Sequence, residues 1–394
     1  MRFTTWVEID LDALARNIDA VKASVSSGTR ILMVVKADAY GHGAVEVARA
    51  AVSSGVEMFG VATLHEGIEL RQAGIDTPIL ILSPPMAAET EEIVRYDLGC
   101  TVPSLAVARS LSRSAEARGK RAAVHVEVDT GMGRSGVGLE KALLFTMTVA
   151  KLPNLDLEGV FTHFPSSDDD PEFTRAQTSR FLSLIDGLAA KGVVVPLRHA
   201  ANSGAVIAVP EAVKAPLNMV RPGLMIYGLK PAPGMAAELS PVMSFKSRIA
   251  QVRELPGDHP VSYGRTYVTE RETRIAVVPA GYGHGLNFRL SNRGEVLIRG
   301  RRAPIVGRVT MDVTMVEIDG VPDAAVGDEV VLFGQQGGER ISVDEVADRA
   351  GTINYEVICG IGKRVARTYL RRGETVGVRT LTERWVRGRR GVGG

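Results

Sequence analysis

Side chains able to hold, move or attract a proton stand directly after short apolar runs through the first part of the chain. Lys36 follows Ile31–Val35, and Asp129 with Arg134 follows a run that begins at Ala122. His163 follows the run from Leu155. His199 with Asn202 and Ser203 follows the one from Val193, and Arg221 with Gly223 follows the one from Leu217. Lys36 carries the most information. Burial at the end of an aliphatic strand disfavours its ammonium and prepares a neutral amine for Schiff-base formation. The bland alternative is a side chain that snorkels to the rim and pairs with Asp38. Ser203-Gly204 and Gly223-Leu224 offer a hydroxyl and backbone amides suited to a phosphate monoester, although Ser203 could simply cap the helix of Ala205–Val209. A Schiff-base lysine beside a phosphate cup is what pyridoxal 5'-phosphate requires.

The elements that would position these groups repeat. Eight apolar, β-branched runs begin near Ile31, Met58, Ile79, Cys100, Ala122, Leu155, Val193 and Leu217, separated by helices such as Ala44–Ser54, Leu105–Arg118 and Phe173–Lys191. Continuous apolar strands alternating with helices indicate an α/β fold with a closed (β/α)8 barrel, whose strand ends carry the chemistry; an open doubly wound sheet is the alternative. After Pro231–Gly234 the pattern becomes mainly β, in Phe245–Leu255, Arg274–Val278, Gly294–Arg299 and Val313–Ile318, with one helix at Ser342–Arg349 opened by a Ser342/Glu345 capping box. The expected division is a cofactor barrel over 1–235, a mainly β domain over 236–378 and a basic glycine-rich tail over 379–394. Thr4–Ile9 could belong to either domain.

Composition narrows the class. Of 394 residues 45% are hydrophobic and 23% charged, with a net charge of +2, which excludes disorder and gives no field for nucleic-acid or membrane binding. Two cysteines exclude a disulfide framework and a multi-cysteine metal site, and no metal is expected. No signal peptide or long apolar run is present, so a cytoplasmic protein is expected. Four of eight tyrosines (Tyr40, Tyr227, Tyr263, Tyr282) precede glycine, which suggests phenols presented on tight turns rather than packed in cores.

Val35-Lys36-Ala37-Asp38-Ala39-Tyr40-Gly41-His42-Gly43 resembles the pyridoxal-phosphate attachment signature of the alanine racemase family. So do Asp129–Arg134, Thr162-His163-Phe164, His199-x-x-Asn202-Ser203, Arg221-Pro222-Gly223, Ser262-Tyr263-Gly264, Gly281-Tyr282-Gly283, Gly307–Asp312 and Ile353–Glu356. The resemblance implies a two-base racemase, interconverting L- and D-alanine through a pyridoxal-phosphate aldimine and supplying D-alanine for peptidoglycan. It implies a head-to-tail homodimer with shared active sites. Lys36 would hold the cofactor and act as base on the D-amino acid; Tyr263 of the partner would act on the L-amino acid, linked through His163 to Arg221 at the pyridine nitrogen. Tyr40, Ser203, Tyr355 and the amides of Gly223 and Leu224 would hold the phosphate, with Asn202 nearby. Arg134 would face the phenolic oxygen, the Met311 amide the substrate carboxylate, and Tyr282 the substrate corridor.

Two positions depart from the family pattern. Glu127 stands where many relatives have a carbamylated lysine, and is expected to brace Arg134 with its own carboxylate. Gly283–Phe288 replaces a charged segment of the corridor, which leaves a broader racemase of serine, lysine or arginine as the alternative. Other readings are a pyridoxal-phosphate carrier without turnover and a decarboxylase of similar fold. Gly131-x-Gly133-x-x-Gly136 also matches a dinucleotide fingerprint, with Glu158 downstream.

Overall fold

The computed structural model describes residues 3–232 and 234–382, with the backbone of Val386–Arg387. Of the arginines in the expected tail, Arg379 ends the strand Glu374–Arg379, whereas Arg384, Arg389 and Arg390 together with the Arg387 side chain lie outside the described residues. Of the described residues, 13–39 and 44–240 make one compact unit; those up to 12, 40–43 and from 241 onward make the other.

The first unit is the barrel. Its eight strands are Arg30–Val34, Met58–Val61, Ile79–Ile81, Gly99–Thr101, Ala122–Asp129, Leu155–Phe161, Leu197–His199 and Met219–Val220, each parallel to the next. Met219 opposite Arg30 closes the ring, so the open-sheet alternative falls. Buried apolar side chains fill the strands, among them Leu32, Phe59, Leu80, Val124 and Val126. Each such side chain contributes about 1.5–3 kcal/mol by leaving water. The seventh strand starts at Leu197 rather than Val193, because Pro196 has no N–H for the ladder. Asp170 caps the long helix Pro171–Ala190 by accepting from the Phe173 amide.

The second unit is mainly β. Thr5–Asp10 is a strand here, antiparallel to Met243–Arg248 and parallel to Ala366–Arg371. Around it pack Trp6, Ile9, Phe245 and Tyr369, all buried. The β stretch expected over Phe245–Leu255 forms two strands, Met243–Arg248 and Gln251–Leu255, and they belong to different sheets. The helix spans Val343–Ala350. Ser342 caps it through the Glu345 amide and Gly351 ends it at φ 65°, but the Glu345 carboxylate turns to Arg302 and Arg349 instead of the cap amide. A second helix, Asn354–Cys359, was not expected from the sequence.

Candidate active site

The chain turns sharply after Lys36. Ala37, Asp38, Ala39 and Tyr40 all adopt φ between 53° and 56°, a left-handed turn without a glycine. Each non-glycine residue held there costs about 1–2 kcal/mol, so neighbouring groups must hold it. Glu66 Oε1 accepts from the Ala37 amide at 2.7 Å, Asp38 Oδ1 from Ala44 at 2.8 Å, and the Ala39 amide donates to Val35 at 2.8 Å. The same Glu66 completes a capping box with Thr63 at the start of Leu64–Gln72. That carboxylate therefore fixes both a helix and the strand-end lysine's turn.

Arg221 is buried at the end of the two-residue eighth strand. Its Nη2 donates to Thr162 O at 2.7 Å, Ala200 O at 3.0 Å and His163 Nδ1 at 3.2 Å; its Nη1 donates to His199 Nδ1 at 2.9 Å. Burial pushes its pKa down to about 10, which leaves it a cation at neutral pH. His163 is held well below the ordinary imidazole range, first by burial and then by Arg221, Arg134 and Lys36. Lys36, Arg134, His163 and Arg221 thus meet on one rim. His199 is also held well below that range by burial and Arg221.

These two neutral imidazoles give stability a sign with pH. An unfolded histidine takes a proton below about pH 6.5 while the buried one cannot, so stability is complete above that pH and falls as pH drops toward the folded-state values. The urea midpoint is expected to be level from pH 7 to 8 and to fall between about 6.5 and 5, with a shallower fall in His199→Asn. A level midpoint down to pH 5 would contradict the burial of neutral imidazole.

On the same unit, Asn202 and not Ser203 caps the helix Ser203–Ala208, accepting from Ala205 at 3.0 Å and from Ser167 Oγ at 2.7 Å. This frees Ser203 for another role. Its Oγ accepts from the amides of Gly223 at 3.0 Å and Met225 at 3.3 Å, which brings hydroxyl and Gly223-Leu224 backbone together. Glu127 is buried, lies 3.9 Å from Arg134 and accepts from Ser135 Oγ at 2.7 Å, so the closer tie is to the serine. Asp129 accepts from the amides of Gly131, Met132 and Gly133. A side-chain carboxylate therefore occupies the donors a dinucleotide would need, and the helix begins only at Leu139.

The mainly β unit carries the remaining candidates. Tyr40 is buried with its ring centroid 6.1 Å from that of Tyr355, and burial followed by Tyr355 raises its phenol well above the ordinary range, so it keeps its proton as a donor. Gly41 beside it has φ 82°, and a Cβ there would stand 2.3 Å from Ile358 O. Arg367, buried, donates to the carbonyls of Gly41, Gly362, Val365 and Ile361. Tyr263 lies on the turn Tyr263–Arg265 between the paired strands Pro260–Val261 and Tyr267–Val268 and is 72% exposed, a phenol presented on a tight turn rather than packed in a core. The Tyr282 and Gly283 amides donate to the carbonyls of Thr310 and Met311 at 3.0 and 2.9 Å, which sets the Tyr282 loop against the exposed Met311. Arg364 pairs with Asp312 at 2.5 Å against Gly283, and the Tyr282 and Phe288 rings meet at 6.4 Å. Of the four tyrosines that precede glycine, Tyr263 and Tyr282 are exposed as expected, whereas Tyr40 is buried on its turn and Tyr227 is buried in the barrel unit, donating to Val34 O at 2.9 Å.

A closed parallel barrel with a lysine, a histidine and two arginines at the carboxyl ends of its strands defines a (β/α)8 enzyme. The sequence matches the alanine racemase N-terminal domain over residues 9–231 and the C-terminal domain over residues 242–369. The chain belongs to the alanine racemase family, a family of isomerases. The alanine racemase of Desulfosudis oleivorans is 48% identical over 380 residues, covering 93% of this chain and 97% of that protein. That of Halothermothrix orenii is 45% identical over 368 residues, covering 93% and 96%. The solved alanine racemase of Clostridium difficile 630 is similar with a TM-score of 0.92 and 38% identity, over 96% of this chain and 99% of that one. The Bacillus anthracis enzyme, solved with bound L-Ala-P, gives a TM-score of 0.89 and 36% identity, over 97% and 99%.

Proposed function

We propose that the chain interconverts L- and D-alanine with pyridoxal phosphate as cofactor, in a head-to-tail homodimer of the cytoplasm, and so supplies D-alanine for peptidoglycan. The observation that carries this reading is the meeting of Lys36, Arg134 and Arg221 around one neutral imidazole, His163. The donor set fits the cofactor. Lys36 would hold its aldehyde carbon; the Ser203 hydroxyl, its oxygen held by the Gly223 amide, and the Leu224 amide its phosphate; Arg221, whose Nε makes no hydrogen bond among the described residues, its ring nitrogen; the family resemblance adds the Tyr40 and Tyr355 phenols as phosphate donors. When bound, pyridoxal phosphate supplies an electron sink beside the amino acid's α-carbon.

The chain's own residues do the proton work. Racemisation removes the α-proton from one face and returns a proton to the other, so two bases are needed. Lys36 Nζ serves the D face and the partner's Tyr263 Oη the L face. A phenol with a reference pKa near 10 needs help as a base, and neutral His163, tied to cationic Arg221, supplies it by donating from its second nitrogen. A guanidinium gives up no proton at this pH, so Arg221 orients the cofactor ring without protonating it. Met311 would offer its amide and Arg134 its guanidinium to the bound amino acid, beside Tyr282.

Incubating the protein with L-alanine and following optical rotation and carbon dioxide tests the reading. Loss of rotation without gas is expected; gas indicates a decarboxylase, and neither signal a carrier. Broader specificity has one observation in its favour, the uncharged segment Gly283–Phe288 with Arg364 held by Asp312 against Gly283. Comparing rates on alanine, serine, lysine and arginine enantiomers separates the two. Glu127 supplies a permanent carboxylate toward Arg134, and Glu127→Gln is expected to lower kcat/KM about 3- to 10-fold. Unchanged kinetics with Arg134 still ordered in that variant would contradict it.

A further inference from the structure

Arg221 stands at one end of a chain of buried hydrogen bonds longer than the proton transfers need. His199 Nε2 lies 2.9 Å from His125 Nδ1, and His125 Nε2 lies 3.2 Å from Glu158 Oε2. Both imidazoles are wholly buried, whereas the Glu158 side chain is 33% exposed. The direction of every bond follows from the arginine, because a guanidinium has donors only. His199 Nδ1 must accept, so its proton sits on Nε2. His125 Nδ1 must then accept, so its proton also sits on Nε2. That last proton requires an acceptor, and the Glu158 carboxylate is the one in reach. By the same rule His163 accepts on Nδ1 and keeps its proton on Nε2.

The backbone is shaped for this path. Strand register sets His125 beside Gly159, and Gly159 beside Leu197 on the strand that ends in His199. His125 can reach His199 only by laying its ring across the intervening strand. A Cβ on Gly159 would stand 2.3 Å from His125 Nδ1 and 2.4 Å from Cε1, so the glycine is required by the ring. Phe161 stacks on His199 with centroids 4.9 Å apart and lies 5.0 Å beneath the Arg221 guanidinium, which fixes both planes.

We propose that Glu158 is a positioning residue for Arg221. By accepting the last proton of the chain, from His125 Nε2, it stabilises the tautomers that the arginine requires of His199 and His125, which hold the guanidinium in place for cofactor and His163; the role rests on the racemase reading above. What Glu158 supplies is an acceptor, so a glutamine carbonyl can substitute and a leucine cannot.

Holoenzyme labelled with 15N-histidine tests this by long-range proton–nitrogen spectra of the imidazoles, alongside kcat and KM for L-alanine. Wild type and Glu158→Gln are expected to show the Nε2-protonated form at His125 and His199, with kcat equal within about 3-fold. Glu158→Leu is expected to lose that form at His125 and to lower kcat about 10-fold with KM nearly unchanged. Gly159→Ala, which displaces the ring and leaves the acceptor in place, is expected to do the same. Glu158→Leu with wild-type spectra and kcat overturns the proposal, as does Glu158→Gln falling as far as Glu158→Leu. Spectra that change as expected in a protein that never racemises alanine support the relay and remove the racemase reading instead.

Discussion

Tyr263→Phe is expected to lower racemisation of alanine about 100- to 10,000-fold in either direction, while the α-hydrogen of D-alanine still exchanges with solvent deuterium. The asymmetry follows from assigning one base to each face. Without the phenol the L face has no group to take or return a proton, but Lys36 Nζ can still lift the proton from D-alanine and replace it with one from water. Tyr263 is exposed on a tight turn, between Ser262 at φ 67° and Gly264 at φ 73°, so removing one oxygen disturbs no core. The measurement is α-deuterium incorporation by mass spectrometry beside the optical assay. Equal loss of exchange from both enantiomers would contradict the assignment.

Lys36→Ala is expected to abolish turnover to below about one part in 10,000, since a covalent anchor and a base are lost together. It should also release pyridoxal phosphate on dialysis, whereas wild type is expected to retain it. Exogenous methylamine restores part of the exchange from D-alanine if the amine is the base on that face. Retention of the cofactor through dialysis with no exchange in the presence of the amine would place the base elsewhere. The left-handed turn of Ala37 to Tyr40 makes this position sensitive to its surroundings, because Glu66 rather than local propensity keeps the backbone there.

The barrel and its rim were legible because their signals are local. Aliphatic runs such as Ile31–Val35 can be buried on both faces, and the candidate site residues follow them, so Lys36, His163 and Arg221 stand at strand ends as the pattern implies. Other features depend on pairings that sequence spacing does not carry. Thr5–Asp10 joins strands from Met243 and Ala366, more than half the chain away. Ala37-Asp38-Ala39 has no glycine to announce a left-handed turn. His125 lies within a strand, and only the register that sets it beside Gly159 turns it toward His199. Glu158 was visible merely as an acidic residue at dinucleotide spacing, and Arg364 had no signal at all. Ser203 was drawn in two roles, and the cap went to its neighbour because the Asn202 side chain reaches the Ala205 amide.

The central claim is that two different bases serve the two faces of one α-carbon. Brief reaction of the wild-type protein in deuterium oxide, begun separately from L- and D-alanine, tests it most directly. The account predicts that in both directions the newly formed enantiomer carries deuterium at the α-position from its first appearance, because the proton it gains comes from a different base than the one that took the first. New enantiomer that retains the original α-hydrogen, in either direction, would show one group carrying a single proton across and would contradict the account.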